Sequence, residues 1–253
     1  MKNWKQALKF SLCLLPIAFI GGWFALEMTI ASIDPAVIED AISQVGTIFL
    51  VKLLSSISSA AYVFFAGFFG YILAEKIGLL RPMKIEKTTL IRVLIFSALG
   101  GAILSLDAWT FAKWIPALQD SYLSAGTFDA TVWIASILYG GVSEEILIRL
   151  FLMSLFSFMG WKLFFKKEGT VPTKVMIASN IIAAIIFAAG HLPSTLLLFG
   201  TLTPLLLVRC FLLNGAAGLL FGCFYRKYGI QYAILAHIFF HLVSRTIWLI
   251  VLP

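Results

Sequence analysis

Charge is what this sequence has least of. Only 12% of its 253 residues are charged while 61% are hydrophobic, and the mean hydropathy of +0.99 lies far above that of water-soluble domains. So small a polar fraction excludes a soluble globular fold. Clusters of Gly, Pro and Asn between short strands are also scarce, which argues against an outer-membrane barrel. Cysteine is nearly missing: Cys13, Cys210 and Cys223 all lie in apolar runs, and no extramembrane segment holds a pair that could build a disulfide framework. They carry no information on redox compartment. There is no internal repeat, low-complexity tract or separate soluble domain, so inverted-repeat transporter symmetry has no support. The net charge of +7 does not point to nucleic acid, because the basic residues collect in short loops between apolar runs.

What the sequence does have is apolar runs of about 18 to 25 residues, long enough to cross a hydrocarbon core of roughly 30 Å as helices. The expected fold is an all-α polytopic bundle of about seven spans, near residues 10–26, 48–74, 89–106, 131–164, 175–199, 203–225 and 231–252. Lys2, Lys5 and Lys9 precede the first span, and no small-x-small cleavage site follows it, so it is read as an uncleaved anchor. Lys76, Arg81, Lys84, Lys87 and Arg92 fall in one loop, Lys166, Lys167 and Lys174 in another, Arg226 and Lys227 in a third. Alternate loops carry Glu27, Asp34, Glu39 and Asp40, then Asp107, Asp120 and Asp129, with Lys113 their only clear cation. The positive-inside rule then expects a cytoplasmic N-terminus and an external C-terminus. Asp34 before Pro35 reads as an N-cap and first helical position, starting an external helix that runs into the second span. Residues 1–253 form one membrane domain, with 1–130 as its N-terminal helices.

The fourth span contains Gly140-Gly141-Val142-Ser143-Glu144-Glu145-Ile146-Leu147-Ile148-Arg149, two carboxylates and a guanidinium deep in an apolar helix. Such groups cost several kcal/mol each unless paired or facing a wet cavity. Glu145 and Arg149 stand at i and i+4 and are expected to pair across one turn. Glu144 points about 100° away and is left without a partner, which suits a general base. A packing network of all three is the bland alternative, and Gly140 and Gly141 could serve close helix packing alone. All three histidines are also intramembrane: His191 in the fifth span, His237 and His241 in the seventh. His237, His241 and Arg245 recur every fourth residue and form one polar stripe that must face the bundle interior. At 1.5 Å per residue Glu144 lies about 10 Å from the cytoplasmic side, His237 about 9 Å and His241 about 15 Å. His191 joins this layer, about 15 Å deep, if the polar stretch Thr173 to Asn180 projects into the cytoplasm.

Glu144-Glu145-xxx-Arg149, then Phe187-xxx-His191, then His237-xxx-His241 after Gly218-xxx-Gly222 and a basic turn, resembles the CAAX-processing and bacteriocin-processing (CPBP) intramembrane peptidases, the type II CAAX prenyl endopeptidase-like group. The resemblance covers about residues 131 to 245 and implies a catalytic core over 131–253. It implies that Glu144 activates water with the help of His191, that Glu145 and Arg149 form the structural ion pair, and that His237 and His241 complete the site. The third motif departs from the commoner pattern, which has Asn or a similar residue where this chain has His241. A neutral imidazole N–H can still donate to an oxyanion.

Three readings follow. The first is a glutamate-type intramembrane endopeptidase without cofactor, with Glu144 as general base and later acid, His191 orienting water, and His237 and His241 stabilising the oxyanion. The second adds zinc held by His191, His237 and His241, although Ile238 follows His237 where the HExxH signature has Glu. The third is a non-enzymatic scaffold, immunity protein or proton-coupled carrier. Expected partners are the lipid bilayer and a peptide or protein substrate, prenylated or a leader peptide, with no nucleic acid. The expected location is a bacterial cell membrane rather than the endoplasmic reticulum.

Overall fold

The computed structural model describes residues 3–252, apart from the side chains of residues 120, 121 and 123–125, and the regular elements among them are all helical. Lys2 and the side chain of Asp120, used above to read loop charge, lie outside the described residues. Among the described residues seven helical segments are long and apolar enough to cross a membrane. They are α1 (Trp4–Ile30), α3 (Ile48–Lys76), a third span Lys87–Lys113 that begins with α4 (Lys87–Ser105), a fourth span Ala130–Phe164, a fifth span Thr173–Phe199, α10 (Pro204–Tyr228) and α11 (Ile230–Val251). The protein is thus an all-α, multi-pass membrane bundle.

Large apolar side chains point outwards: Phe65, Phe69, Ile95, Leu99, Leu163 and Ile250 are all exposed. Small and polar ones are buried instead, as expected where lipid removes any hydrophobic drive between helices and association rests on close packing. Helix α1 meets α3 along Ser11, Ala18 and Gly22 against Ser59, Val63 and Gly67, and the Ser59 hydroxyl donates to the Ala18 carbonyl at 3.0 Å. A β-carbon on Gly70 would fall 2.8 Å from the Leu150 carbonyl oxygen, so α3 and the fourth span touch backbone to backbone.

Two expectations from sequence are corrected here. Asp34 does cap helix α2 (Pro35–Val45), accepting the Ala36 N–H at 2.9 Å, but α2 does not run into the second span. It stops at Gly46, whose φ of 110° breaks the helix, and Thr47 caps α3 afresh on the Leu50 N–H at 3.2 Å. The fifth span is likewise not one helix: α8 (Thr173–Gly190) and α9 (Leu192–Phe199) meet at His191. Pro193 in the first turn of α9 has no N–H to continue the ladder. At the end of the polar start of α8, Ser179 and Asn180 are buried, and Asn180 Nδ2 donates to the Leu219 carbonyl at 3.1 Å. Gly222 makes this possible, since a β-carbon there would overlap the Asn180 amide.

After α4 the chain turns through Leu106–Trp109 and Phe111–Lys113 into α5 (Pro116–Ala125), and this segment is fastened from below. Asp107, read from sequence as an acid of an external loop, is buried and paired with Arg209 of α10 at 2.8 Å and 2.5 Å. The Tyr122 hydroxyl also donates to Asp107, and burial together with that carboxylate pushes the Tyr122 phenol up from its ordinary pKa.

Candidate active site

The fourth span starts as α6 (Ala130–Ala135) and ends as α7 (Ser154–Phe164), but its centre is π-helical over Ser136–Glu144 and Ile146–Met153. Each π turn holds more residues than an α turn, so successive side chains diverge by less than the α-helical angle. The Ser143 hydroxyl bonds the Leu138 carbonyl, five residues back, at 3.1 Å. Glu144 and Glu145 both reach the same neighbour.

That neighbour is α11, which runs antiparallel to the fourth span. Arg245 Nε donates to Ser136 Oγ at 2.7 Å, His241 Nε2 lies 3.2 Å from where a Gly140 β-carbon would be, and His237 faces Glu144 and Glu145. The contacts step back four residues on one helix as they step forward four on the other. Gly141 has no room for a β-carbon, which would overlap Ile238. The missing side chains at 140 and 141 let the polar stripe of α11 lie directly on the backbone that carries the two carboxylates.

Glu145 is fully buried, and its Oε1 lies 3.0 Å from Arg149 Nη1 and 2.9 Å from His237 Nδ1. Arg149, 1% exposed, also donates from Nη2 to the Gly218 carbonyl at 3.2 Å, with Phe187 and Phe221 rings 4.5 and 5.5 Å from its guanidinium carbon. Gly218 permits this approach: a β-carbon there would stand 3.3 Å from Nη2. Aromatic faces and a carboxylate together make a buried guanidinium tolerable.

His237 stacks on Phe221 at 4.3 Å and on His241 at 4.8 Å. A carboxylate can only accept, so the Nδ1 bonded to Glu145 carries the proton, and with both rings neutral His237 Nε2 is an acceptor. It then takes the N–H of His241 Nε2, 3.0 Å away. Of the two imidazoles only His241 has a ring N–H that can turn towards a substrate. Glu144 Oε2 lies 4.0 Å from His237 Nε2, its side chain is 19% exposed, and among the described residues it accepts no hydrogen bond. His191 sits at the α8–α9 break and donates from Nδ1 to the Phe187 carbonyl at 2.8 Å, leaving its Nε2 lone pair free. It makes no polar contact with Glu144 and is joined to the cluster through Phe187, whose ring meets His191 at 4.8 Å and His237 at 5.9 Å.

Among the described residues no three His, Cys, Asp or Glu side chains are grouped so as to hold a metal ion. The His237 and His241 nitrogens, 3.0 Å apart, are at hydrogen-bonding distance.

Sequence reasoning missed four participants: Phe221, which underlies His237 and Arg149; Ser136, which holds Arg245; Arg209; and the π-helical register itself. Arg209 carried a usable signal, as a lone cation inside the sixth span that had to have a carboxylate somewhere.

Among the described residues, seven apolar helices enclose a cluster of two carboxylates, two imidazoles and a guanidinium, as in a polytopic membrane protein with a polar cluster inside the bundle. Residues 126–243 match the family described as Rce1-like, type II CAAX prenyl endopeptidase Rce1-like, so that segment is similar to this family of membrane proteases, in agreement with its motifs. No curated protein and no solved structure gives a significant match.

Proposed function

We propose that this protein is a metal-independent intramembrane endopeptidase in which Glu144 activates the water that attacks the peptide bond. The observation that carries this reading is the contrast between the two adjacent carboxylates. Glu145 is taken up by Arg149 and His237, whereas Glu144 is unbonded, partly accessible and 4.0 Å from an imidazole. A structural network would use both.

In this mechanism Glu144 removes a proton from water held against the His191 Nε2 lone pair, and the water oxygen bonds to the carbonyl carbon. The carbonyl oxygen becomes an oxyanion and takes the N–H of His241, which turns from His237 to meet it. The C–N bond then breaks, the proton on Glu144 passes to the leaving nitrogen, and the products are an acid and an amine. Glu145 and Arg149 keep His237 in the tautomer that leaves His241 as donor, and are positioning residues.

The charge of the loops supports a cytoplasmic N-terminus and cleavage near the cytoplasmic side of the membrane. The family's description supports a prenylated peptide as one substrate class, and a leader peptide is the other to test. Purified wild type and Glu144→Gln would be incubated with prenylated and unmodified peptide libraries and products read by mass spectrometry. Wild type should cleave. The variant should fold and insert normally yet lose turnover by orders of magnitude; cleavage retained in it would remove Glu144 as base.

A further inference from the structure

At the basic end of the bundle a cavity of about 290 Å³ opens between α1, the end of α3, the loop 77–86, the fourth span and the start of α11. Its floor belongs to the core, since Leu150 of the fourth span is 1% exposed and Ile230 of α11 is 4% exposed. Phe10 and Leu80 line its sides, and Met83, 67% exposed, stands at its mouth. Arg81 is the one charged side chain among the lining residues. It is seated rather than trailing from the surface. A β-carbon on Gly229, whose φ is 106°, would come within 2.9 Å of Arg81 Cβ and 3.1 Å of its Cγ, so the arginine stem lies against the turn between α10 and α11. Gln231 Nε2 donates to the Pro82 carbonyl at 3.0 Å and fastens the same segment to α11.

The acids that flank Arg81 in the chain are engaged elsewhere: Glu75 accepts from Asn3 Nδ2, and Glu86 from the Thr89 hydroxyl at 2.8 Å. Among the described residues Arg81 forms no ion pair. Lys76, Lys84 and Lys87 around the same loop, and Lys5 and Lys9 at the start of α1, are exposed and add to the positive charge of this end. The Tyr71 hydroxyl, also at the cavity, donates to Gln6 Oε1 at 3.2 Å, so Arg81 supplies the N–H donors for an incoming anion. Depth fits the same picture. Trp4 is 44% exposed and marks the headgroup level, and Phe10 lies six residues, about 9 Å, further into the acyl region. A cation over an apolar cavity at the membrane rim matches a ligand that is anionic at one end and hydrocarbon at the other. We infer that this cavity binds an anionic phospholipid of the leaflet on the basic side, its phosphate on Arg81 and one acyl chain running between Phe10 and Leu80 to Leu150. The volume is at the low end for a ligand pocket and takes the first part of the chain, the remainder staying in the bilayer. Leu150 follows Arg149 and its carbonyl lies against Gly70 of α3, so the lipid braces α1, α3 and the fourth span against one another. The inference is independent of the peptidase reading.

The test uses full-length protein, delipidated in detergent and titrated with phosphatidylglycerol or phosphatidylcholine carrying identical chains. Bound lipid per chain is counted by native mass spectrometry, and the melting temperature is followed on the same samples. Phosphatidylglycerol should bind roughly 5- to 10-fold more tightly than phosphatidylcholine and raise the melting temperature. Arg81→Gln should bring the two lipids level, whereas Lys84→Gln, in the same loop but outside the cavity, should leave the preference intact. Met83→Trp fills the mouth from an exposed position, so it should weaken both lipids without changing the melting temperature of lipid-free protein. Glycerol phosphate, an anion without chains, should not compete at concentrations where phosphatidylglycerol saturates. Equal affinity for the two lipids, a preference that survives Arg81→Gln or falls as much with Lys84→Gln, or both lipids unaffected by Met83→Trp overturns the inference. Full competition by glycerol phosphate does so too, reducing the cavity to a site for free phosphate. Displacement of phosphatidylglycerol from Glu144→Gln by the peptide libraries would give the cavity to the substrate instead.

Discussion

Replacing Arg149 by Ala isolates the ion pair that the site is built around. In the native protein Arg149 is 1% exposed and Glu145 fully buried, so neither can turn to solvent when the other is lost. The variant removes the 3.0 Å ion pair, the Gly218 hydrogen bond and the contacts with Phe187 and Phe221, and leaves a carboxylate in an apolar interior. Breaking a buried pair in this way costs about 3–5 kcal/mol. For a chain of this size 1 kcal/mol moves the melting temperature by about 2–4 °C, so Arg149→Ala should lower it by roughly 6–20 °C. The assay is thermal unfolding of detergent-purified protein, alongside expression level and peptidase activity. Most of the loss should come from the orphaned charge, so adding Glu145→Gln to Arg149→Ala should recover part of the stability but none of the activity, since the amide holds His237 less firmly. A melting temperature unchanged by Arg149→Ala, or lowered further by Glu145→Gln, would refute the reasoning.

Three other outcomes are expected. His241→Asn should keep most activity because an amide N–H can replace the imidazole donor, whereas His241→Leu should lose roughly 10²- to 10³-fold in turnover with little change in binding; equal activities for the two would remove the oxyanion role. Phenanthroline should leave activity intact in untagged protein, and stoichiometric zinc whose removal abolishes cleavage and whose return restores it would overturn the metal-independent mechanism. Gly141→Ala should destabilise the protein markedly, because its β-carbon would overlap Ile238, while Gly215→Ala, with open space around it, should not; similar melting temperatures for both would show that the two helices can separate at no cost.

Much of this was legible in the sequence, and for a physical reason. Apolar runs have a length set by the bilayer, so the number of spans follows from hydropathy alone. The cost of intramembrane charge then makes Glu144, Glu145 and Arg149 conspicuous, and helical spacing puts Glu145 next to Arg149. What could not be read is whatever depends on departure from regular geometry. The π-helical centre of the fourth span, over Ser136–Glu144 and Ile146–Met153, departs from the regular helical period on which reading from sequence rests. The break at His191 had a signal in Gly190 and Pro193, but a hydropathy window passes over it. Asp107 looked like a loop residue because nothing local shows that Arg209, about a hundred residues later, comes to it.

That last pair bears on how the chain is assembled. A span carrying Arg209 enters lipid at a penalty of about 2.5–3.5 kcal/mol unless a partner is at hand. The partner, Asp107, is synthesised three spans earlier. The sixth helix is thus stabilised by a residue that must already be in place when it leaves the insertion machinery. The segment that matches the protease family, residues 126–243, contains Arg209 but not Asp107. Cutting the chain at the family boundary would leave the partly buried Arg209 guanidinium without its carboxylate.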